Sequence, residues 1–313
     1  MEPLIPFEPI SSVHIPVDGD WTYQVKWDGV RILVYKSGSA TEVINRHLNN
    51  RTLQYPELSH TDSYSKADSF ILDGEVIALV DGKPSFHEVM KRDRLRGNAT
   101  IENMKKEIPI IYMVFDCLYV NGQSVMDKPL NKRQELLRSI LTETEYVRIT
   151  DNFADGEGLL RAVKEQGLEG VVCKDLEAGY LPGGKDSRWQ KIKNYQDVIA
   201  IVCGFIKKDG RIRSLLLGLY GVDDKLHYIG KAGRGRYSER EWKTIQAYLE
   251  KAEQADSPLA HSIKEKNIQW VSPLYTVKVQ FLEWSETRTL RQPVLDSFVE
   301  RNPHLCRLEE GSS

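Results

Sequence analysis

The hexapeptide KWDGVR, residues 26–31, places charged groups inside YQVKWDGVRILVY, whose other residues are mostly strand formers. An ammonium group in such a segment is costly to bury unless it is paired or used. Two more lysines, Lys191 and Lys193 of WQKIK, stand two residues apart, which puts both on one face of a strand. Paired cations suit an anion with several oxygens, such as a phosphate chain. They also lower the pKa of a third amine nearby, and a lysine without its proton is a nucleophile. Lys26 is the candidate. Glu75 of LDGE and Glu169 of EGVVCK supply carboxylates for a hard divalent cation shared with phosphates. Phe115 of FDCL offers a ring face to a base. Together these are a nucleophilic amine, cations for phosphates, carboxylates for a metal and an aromatic for a base.

Each piece alone has a plainer reading. Asp28-Gly29 is an ordinary turn pair, LDGE an ordinary strand-turn, WQKIK an amphipathic edge strand, and Phe115 a core residue. Six charged interruptions nevertheless fall on or beside apolar strands: KWDGVR, NRH at 45–47, LDGE, FDCL, EGVVCK and WQKIK. One polar cleft lined by strand residues accounts for all six.

The elements that must position these residues follow from periodicity. Residues 1–20, rich in proline, form an extended lead-in. WTYQVKW, VRILVY, TEVIN, SFILDGEVIALV and IPIIYMVFDCLYV predict strands, and LVDGKP at 79–84 a hairpin turn on Asp-Gly. PSFHEVMKRDR, NKRQELLRSILTE and GEGLLRAVKEQ predict helices. From about residue 197 the texture changes to short strands split by Gly and Asp turns, with one helix, SEREWKTIQAYLEKAEQ. Two domains are expected: a mixed α and β domain over 1–196 and a small β-barrel over 197–313.

Size and composition agree. The chain has 313 residues, 41% of them hydrophobic, enough for two cores. With 43 Lys+Arg against 45 Asp+Glu, any nucleic-acid surface must be a local basic patch. Such a patch is found between Lys207 and Lys243, where ten Lys/Arg face five Asp/Glu, and GKAGRGR displays Lys231, Arg234 and Arg236 in a flexible context. Four scattered cysteines without a CxxC pair argue against a disulfide framework or structural zinc and fit a reducing cytosol. Neither a signal peptide nor a membrane-spanning apolar run is visible.

Lys26, Asp28, Gly29 and Arg31 match KxDGxR, and LDGE, FDCL, EGVVCK and WQKIK follow in the same order as the later motifs of the covalent nucleotidyltransferases. The sequence resembles an ATP-dependent DNA ligase most. GFIKKDGRIRSLLLGLYG, LHYIGKAGRG and VQFLEWSETRTLRQPVL resemble the OB-fold domain of the ligase module in bacterial end-joining enzymes of the ligase D type.

That resemblance implies an α+β adenylation domain with antiparallel sheets and flanking helices, followed by an OB-fold. It implies that Lys26 attacks the α-phosphate of ATP, carries AMP, and passes it to a 5′-phosphate that the 3′-hydroxyl then displaces. Arg31 would contact the ribose, Glu75 the nucleotide and the metal (Mg²⁺ or Mn²⁺), and Glu169 the metal. Phe115 would stack on adenine, Lys191 and Lys193 would hold the α-phosphate, and Arg46 the nick phosphate. Lys231, Arg234 and Arg236 would contact the DNA backbone without reading sequence. The resemblance further implies nicked or broken duplex DNA as partner, a Ku-type end-binding protein beside it, a monomer, a hinge near Asn194–Asp197, and a cytoplasmic setting at a bacterial nucleoid.

Three positions depart from the family pattern. Gln24 stands where the family usually shows Glu, which removes a carboxylate role in adenine binding but not selection through the backbone. INRHL carries over only Arg46. DSFVERNP lacks the usual basic ending of the last motif, leaving Arg291 as the best match there. An RNA ligase or a capping guanylyltransferase is the rival within the superfamily, and a non-catalytic OB-fold binding module the rival outside it. An NAD-dependent ligase is disfavoured, with no four-cysteine cluster and no nicotinamide-binding extension visible.

Overall fold

The computed structural model describes residues 1–285 and 287–308. The chain forms two compact units, Met1–Asn194 and Tyr195–Ser313. The first holds two sheets. The smaller has the order Ile10–Ser11, Trp189–Lys193, Gly170–Asp175, Trp21–Val25. The larger runs Ala40–Asn45, Val30–Ser37, Ser69–Val80, Ile110–Val120, Gln123–Ser124, with two short side strands. Pairing is mainly antiparallel. Its buried centre includes Ile32, Val34, Phe70, Leu72, Tyr112 and Val114.

YQVKWDGVRILVY holds two strands, as expected, but they lie in different sheets. Trp21–Val25 belongs to the small sheet and Val30–Ser37 to the large one, so residues 26–29 are the crossover between sheets. Gly29 is needed for close approach. A Cβ there would lie 2.1 Å from the Val76 carbonyl oxygen. LDGE is not a turn. It sits inside Ser69–Val80, where the ladder to Ile110–Val120 shifts register between Asp73 and Gly74. The bulge re-aims the strand beside the site. The expected hairpin is present, with Asp81 and Gly82 at φ 49° and 77°, the left-handed pair that a two-residue turn requires.

The three helices expected here form over Phe86–Asp93, Leu130–Ile140 and Gly156–Glu165. Ser85 caps the first and Asp155 the third, each accepting from a backbone N–H three residues on. A fourth helix, Asn98–Glu107, was not expected. Its sequence offers few apolar residues, and it is anchored by buried Ile101 and by Met104 packing on the core. Gly156–Glu165 covers one face of the small sheet, burying Leu159 and Val163 against Tyr23, Val171, Cys173 and Ile192. The opposite face is left for the site.

Two buried ion pairs stiffen this unit. Arg133 and Asp116, both fully buried, form a bidentate pair at 2.8 Å. Arg92 is likewise enclosed with Glu57 at 3.0 Å.

In the second unit the 13-residue strand Gln196–Lys208 pairs on one side with Arg211–Tyr220. On its other side it pairs with Ile268–Val271 near one end and Thr276–Phe281 near the other. A strand shared in this way curls the sheet around Val202, Phe205, Leu215, Leu217, Val277 and Val279. Its helix, Glu239–Glu250, starts at a full capping box of Ser238 and Glu241 and is pinned by Trp242, whose Nε1 donates to Ile212 O at 2.8 Å. The architecture is the expected α+β unit of antiparallel sheets and flanking helices followed by a β-rich domain. Among the described residues no helix is long and apolar enough to cross a membrane, and all four cysteines are buried thiols.

Candidate active site

Register decides which side chains share the free face of the small sheet. Gln24 pairs with Val172, and Val172 with Lys191. Beside this row Gly170 pairs with Lys193, and Lys174 with Trp189. Directly opposed residues point to the same face. Gln24, Val172, Lys174, Trp189, Lys191 and Lys193 therefore form one surface, and Lys191 and Lys193 do lie together.

The crossover carries Lys26 to the edge of that surface. Its Nζ donates to Glu169 Oε2 at 2.6 Å, and Lys193 Nζ lies 3.7 Å from Glu169 Oε1. Glu169 thus bridges two ammonium groups. This corrects the picture of an amine flanked only by cations: the direct partner of Lys26 is a carboxylate. Burial lowers the Lys191 pKa, with Lys193 and then Lys26 adding to the effect. Lys193 is lowered by burial against the pull of Glu169, with Lys26 adding to the fall.

Lys26, Arg31, Glu75, Phe115, Lys174 and Lys191 line one cleft, which Gln24 and Arg46 also reach. Burial pushes the Glu75 carboxyl up to about 7, against Lys26 and Arg31 and with Glu169 and Asp28. Arg31 is held bidentate by buried Asp73, at 2.5 and 2.6 Å, and Tyr180 donates to the same carboxylate at 2.8 Å. Phe115 is no open platform. The Arg31 guanidinium lies 4.6 Å and the Lys174 ammonium nitrogen 3.9 Å from its ring centroid. Arg46 is exposed, its Nε donating to His47 Nε2 at 3.3 Å.

Lys174 is the residue that sequence reasoning left without a role. It is 2% exposed, its Nζ has no hydrogen-bond partner, and it sits between the rings of Phe115 and Trp189. Burial lowers its pKa to about 7, opposed by Asp116 and reinforced by Arg31. Its signal was available, since Val172 and Lys174 alternate onto the face of Lys191. An unfolded lysine titrates near 10.4, so between about pH 7 and 10.4 the unfolded chain binds the extra proton and stability rises with pH. Below pH 7 the fold must house a buried ammonium. Lys174→Met is therefore expected to be more stable than the wild type at pH 6, with the gap narrowing toward pH 10 in urea titrations. A gap that does not change with pH would contradict this.

In the second unit Lys231 lies in the strand Leu226–Ala232, paired with Glu265 at 2.7 Å, and Arg234 lies 3.7 Å from Glu239. Arg236 is exposed. Lys231 thus lies in a strand, and Gly235 is a point of close approach, where a Cβ would lie 2.0 Å from the Leu295 carbonyl oxygen. Arg291 is bound to Glu283 at 2.6 Å.

The family profile described as ATP dependent DNA ligase domain matches residues 7–193, and that described as ATP dependent DNA ligase C terminal region matches 208–300. The chain belongs to the ATP-dependent DNA ligase family. A DNA ligase of Thermococcus onnurineus is 32% identical over 97% of this chain and 54% of its own length. One of Methanopyrus kandleri is 31% identical over 76% and 47%. The multifunctional non-homologous end joining DNA repair protein LigD of Mycobacterium tuberculosis is 27% identical over 91% and 37%. The chain spans about half the length of these ligases, or less. Among solved structures, mycobacterial DNA ligase D complexed with ATP and MES has a TM-score of 0.54 at 24% identity, covering 98% of both chains. A Lig E DNA ligase has a TM-score of 0.61 at 17% identity, covering 93% of this chain and 99% of that one. Both are likenesses of fold. The cleft thus lies within the part of this ligase-family chain that the first profile matches.

Proposed function

We propose that this chain is an ATP-dependent DNA ligase acting through Lys26. The observation that carries the reading is the placement of the Lys26 amine on a crossover between two sheets, against Glu169 and beside the face of Lys191 and Lys193. In the first step Nζ forms a bond to the α-phosphorus of ATP as the bond to the bridging oxygen breaks. Pyrophosphate leaves with the electron pair, and the amine proton passes to Glu169 at 2.6 Å. Lys191 and Lys193 face the charge that builds on the α-phosphoryl oxygens, and such preorganised charges are the main catalytic resource for phosphoryl transfer. AMP then moves to a DNA 5′-phosphate, and the 3′-hydroxyl displaces it to seal the nick.

Glu75 fits a divalent cation. Its carboxylate lines the cleft with no recorded hydrogen bond among the described residues, and burial keeps it partly protonated until a positive charge arrives. Glu75 would hold Mg²⁺ or Mn²⁺ together with phosphate oxygens, and the ion would neutralise charge on the polyphosphate, while Glu169, its oxygens facing Lys26 and Lys193, would serve the amine instead of the metal. Arg31 shapes the base and ribose end by its grip on Asp73, and Arg46 stands at the rim for DNA phosphate. Action on broken ends beside a Ku-type partner, as a monomer, extends the same reading.

The deciding experiment is mass spectrometry of the purified protein with ATP and Mg²⁺, followed by a nicked-duplex sealing assay. An acid-labile AMP adduct and a sealed strand are expected. The lack of any adduct would end the reading, and an adduct formed with GTP alone would favour a capping enzyme.

In the second unit, Arg234 and Arg236 are proposed as phosphate contacts. Changing both to Ala should weaken nick binding and reduce the slope of log K against log salt by about two phosphate contacts, roughly 1.8 units. An unchanged slope would remove them from the interface.

A further inference from the structure

The proline-rich lead-in is tied down residue by residue and ends as a wall of the cleft. Leu4 N donates to Tyr35 Oη at 3.0 Å, and Glu8 N donates to Gly184 O at 2.9 Å. Ile10 and Ser11 then pair in parallel with Gln190 and Lys191. Glu8 and Pro9 line the cleft. Between these ties Phe7 is 1% exposed, and its ring stands edge-on to Trp189 with centroids 5.3 Å apart. Residues 4–11 thus form a strap along the small sheet, anchored by one buried aromatic.

At Phe7 the strap closes a ring of hydrogen bonds. Phe7 N donates to Tyr180 Oη at 2.9 Å, and Tyr180 Oη donates to Asp73 Oδ2 at 2.8 Å. Asp73 accepts from Arg31 Nε and Nη2 at 2.5 and 2.6 Å, and Arg31 Nη2 reaches back to Phe7 O at 3.4 Å. The directions follow from the groups. An amide N–H and a guanidinium only donate, and a carboxylate clamped by a guanidinium only accepts, so the Tyr180 proton points at Asp73. Burial, with Asp73 adding to it, pushes the Tyr180 phenol well above its ordinary pKa and keeps that proton in place. Asp73 is 0% and Tyr180 5% exposed, so bulk water does not replace a bond lost from this ring.

Of the four members, Arg31 lines the cleft, while Phe7, Asp73 and Tyr180 stand behind it. The Arg31 guanidinium lies 4.6 Å from the Phe115 ring centroid and 5.6 Å from that of Trp189. A guanidinium loosened from Asp73 has these ring faces to settle on. We propose that Tyr180 and the strap position Arg31: the Phe7–Tyr180–Asp73–Arg31 ring holds the guanidinium at one angle, and Tyr180 sets nucleotide affinity through it. Tyr180 is a positioning residue. The inference rests on the proposed function for the nucleotide being ATP with Arg31 at its base and ribose end.

Tyr180→Phe removes one oxygen and keeps the ring that packs on Phe7 and Trp189. Phe7 N loses its acceptor, and Asp73 keeps Arg31 alone. ATP affinity is measured at equilibrium in Lys26→Ala proteins, and KM and kcat of AMP-adduct formation in proteins that retain Lys26. Tyr180→Phe should weaken ATP binding about tenfold, the scale of one lost hydrogen bond in a buried site. KM should rise by the same factor with kcat changed less than about twofold, since Arg31 holds substrate and transition state alike. The second background is Arg31→Gln with Asp73→Asn, which removes both charges together and leaves no carboxylate unpaired. There Tyr180→Phe should change ATP affinity less than about twofold, because the group it acts through is gone. Hydrogen exchange at the Phe7 amide should quicken in Tyr180→Phe.

Three results overturn the proposal. One is an ATP affinity that Tyr180→Phe leaves unchanged. Another is an equal loss in both backgrounds, which would show Tyr180 acting on the fold or the nucleotide without Arg31. The third is a Phe7 amide as protected in Tyr180→Phe as in the wild type, which would detach the strap from the ring. A protein whose ATP affinity depends on Tyr180 as stated, yet which forms no AMP adduct, would count against the ligase reading and leave the positioning intact.

Discussion

Lys26→Ala is expected to yield a folded protein that takes up no AMP covalently and seals nicks from ATP at least about 10⁴-fold more slowly, the scale seen when a covalent nucleophile is removed. The fold should tolerate the change. Lys26 lies in a crossover rather than a packed strand, and Glu169 keeps Lys193 as a partner at 3.7 Å. The same variant should still join a nick whose 5′ end already carries AMP, because no bond to Lys26 forms or breaks in that step. Loss of adduct together with retained sealing of the pre-adenylated nick separates a missing nucleophile from a damaged site. An adduct that persists would move the chemistry to another amine, with Lys191 the first to examine.

The largest expected loss of stability is at Arg133→Met. Arg133 and Asp116 are both 0% exposed, and Arg133 Nη1 also donates to the carbonyls of Lys128 and Ala178. Removing the guanidinium leaves a buried carboxylate with its main partner gone, which costs about 3–5 kcal/mol. For a unit of this size that corresponds to a fall in Tm of about 6–20 °C. The double variant Asp116→Leu with Arg133→Met should be less damaged than Arg133→Met alone, because the uncompensated charge is gone. A double variant as unstable as the sum of the two singles would show instead that the pair is dispensable and the packing is not. Asp116 follows Phe115 in the chain, so the single change should also disturb the cleft wall.

The sequence made the outline of the cleft legible because its strands alternate. Spacing alone put Lys191 and Lys193 on one face, and charged interruptions marked where strands meet the cleft. Helices with strong apolar spacing and a capping residue, such as Gly156–Glu165 behind Asp155, were readable locally. Asn98–Glu107 was not, since packing of Ile101 and Met104 outweighs its polar composition. Pairing partners were beyond reach for a different reason. That Glu169 would grip Lys26, or Asp73 hold Arg31, depends on contacts between residues 143 and 42 positions apart. The environment of Phe115 was hidden likewise, because the cation nearest its ring comes from Lys174 on another strand. Gln24 looked like a departure from a family pattern, and only the distant Asn152 shows what its amide is tied to.

The small sheet is built from strands at the two ends of the first unit, Ile10–Ser11 and Trp21–Val25 against Gly170–Asp175 and Trp189–Lys193. During synthesis the large sheet can begin to form while these early strands still wait for their partners. The cleft is assembled only after residue 193 has emerged, so a nascent or prematurely terminated chain has no competent pocket. Such long-range closure slows folding. It also means that a ribosome-bound fragment ending before residue 189 lacks the strand that carries Lys191 and Lys193.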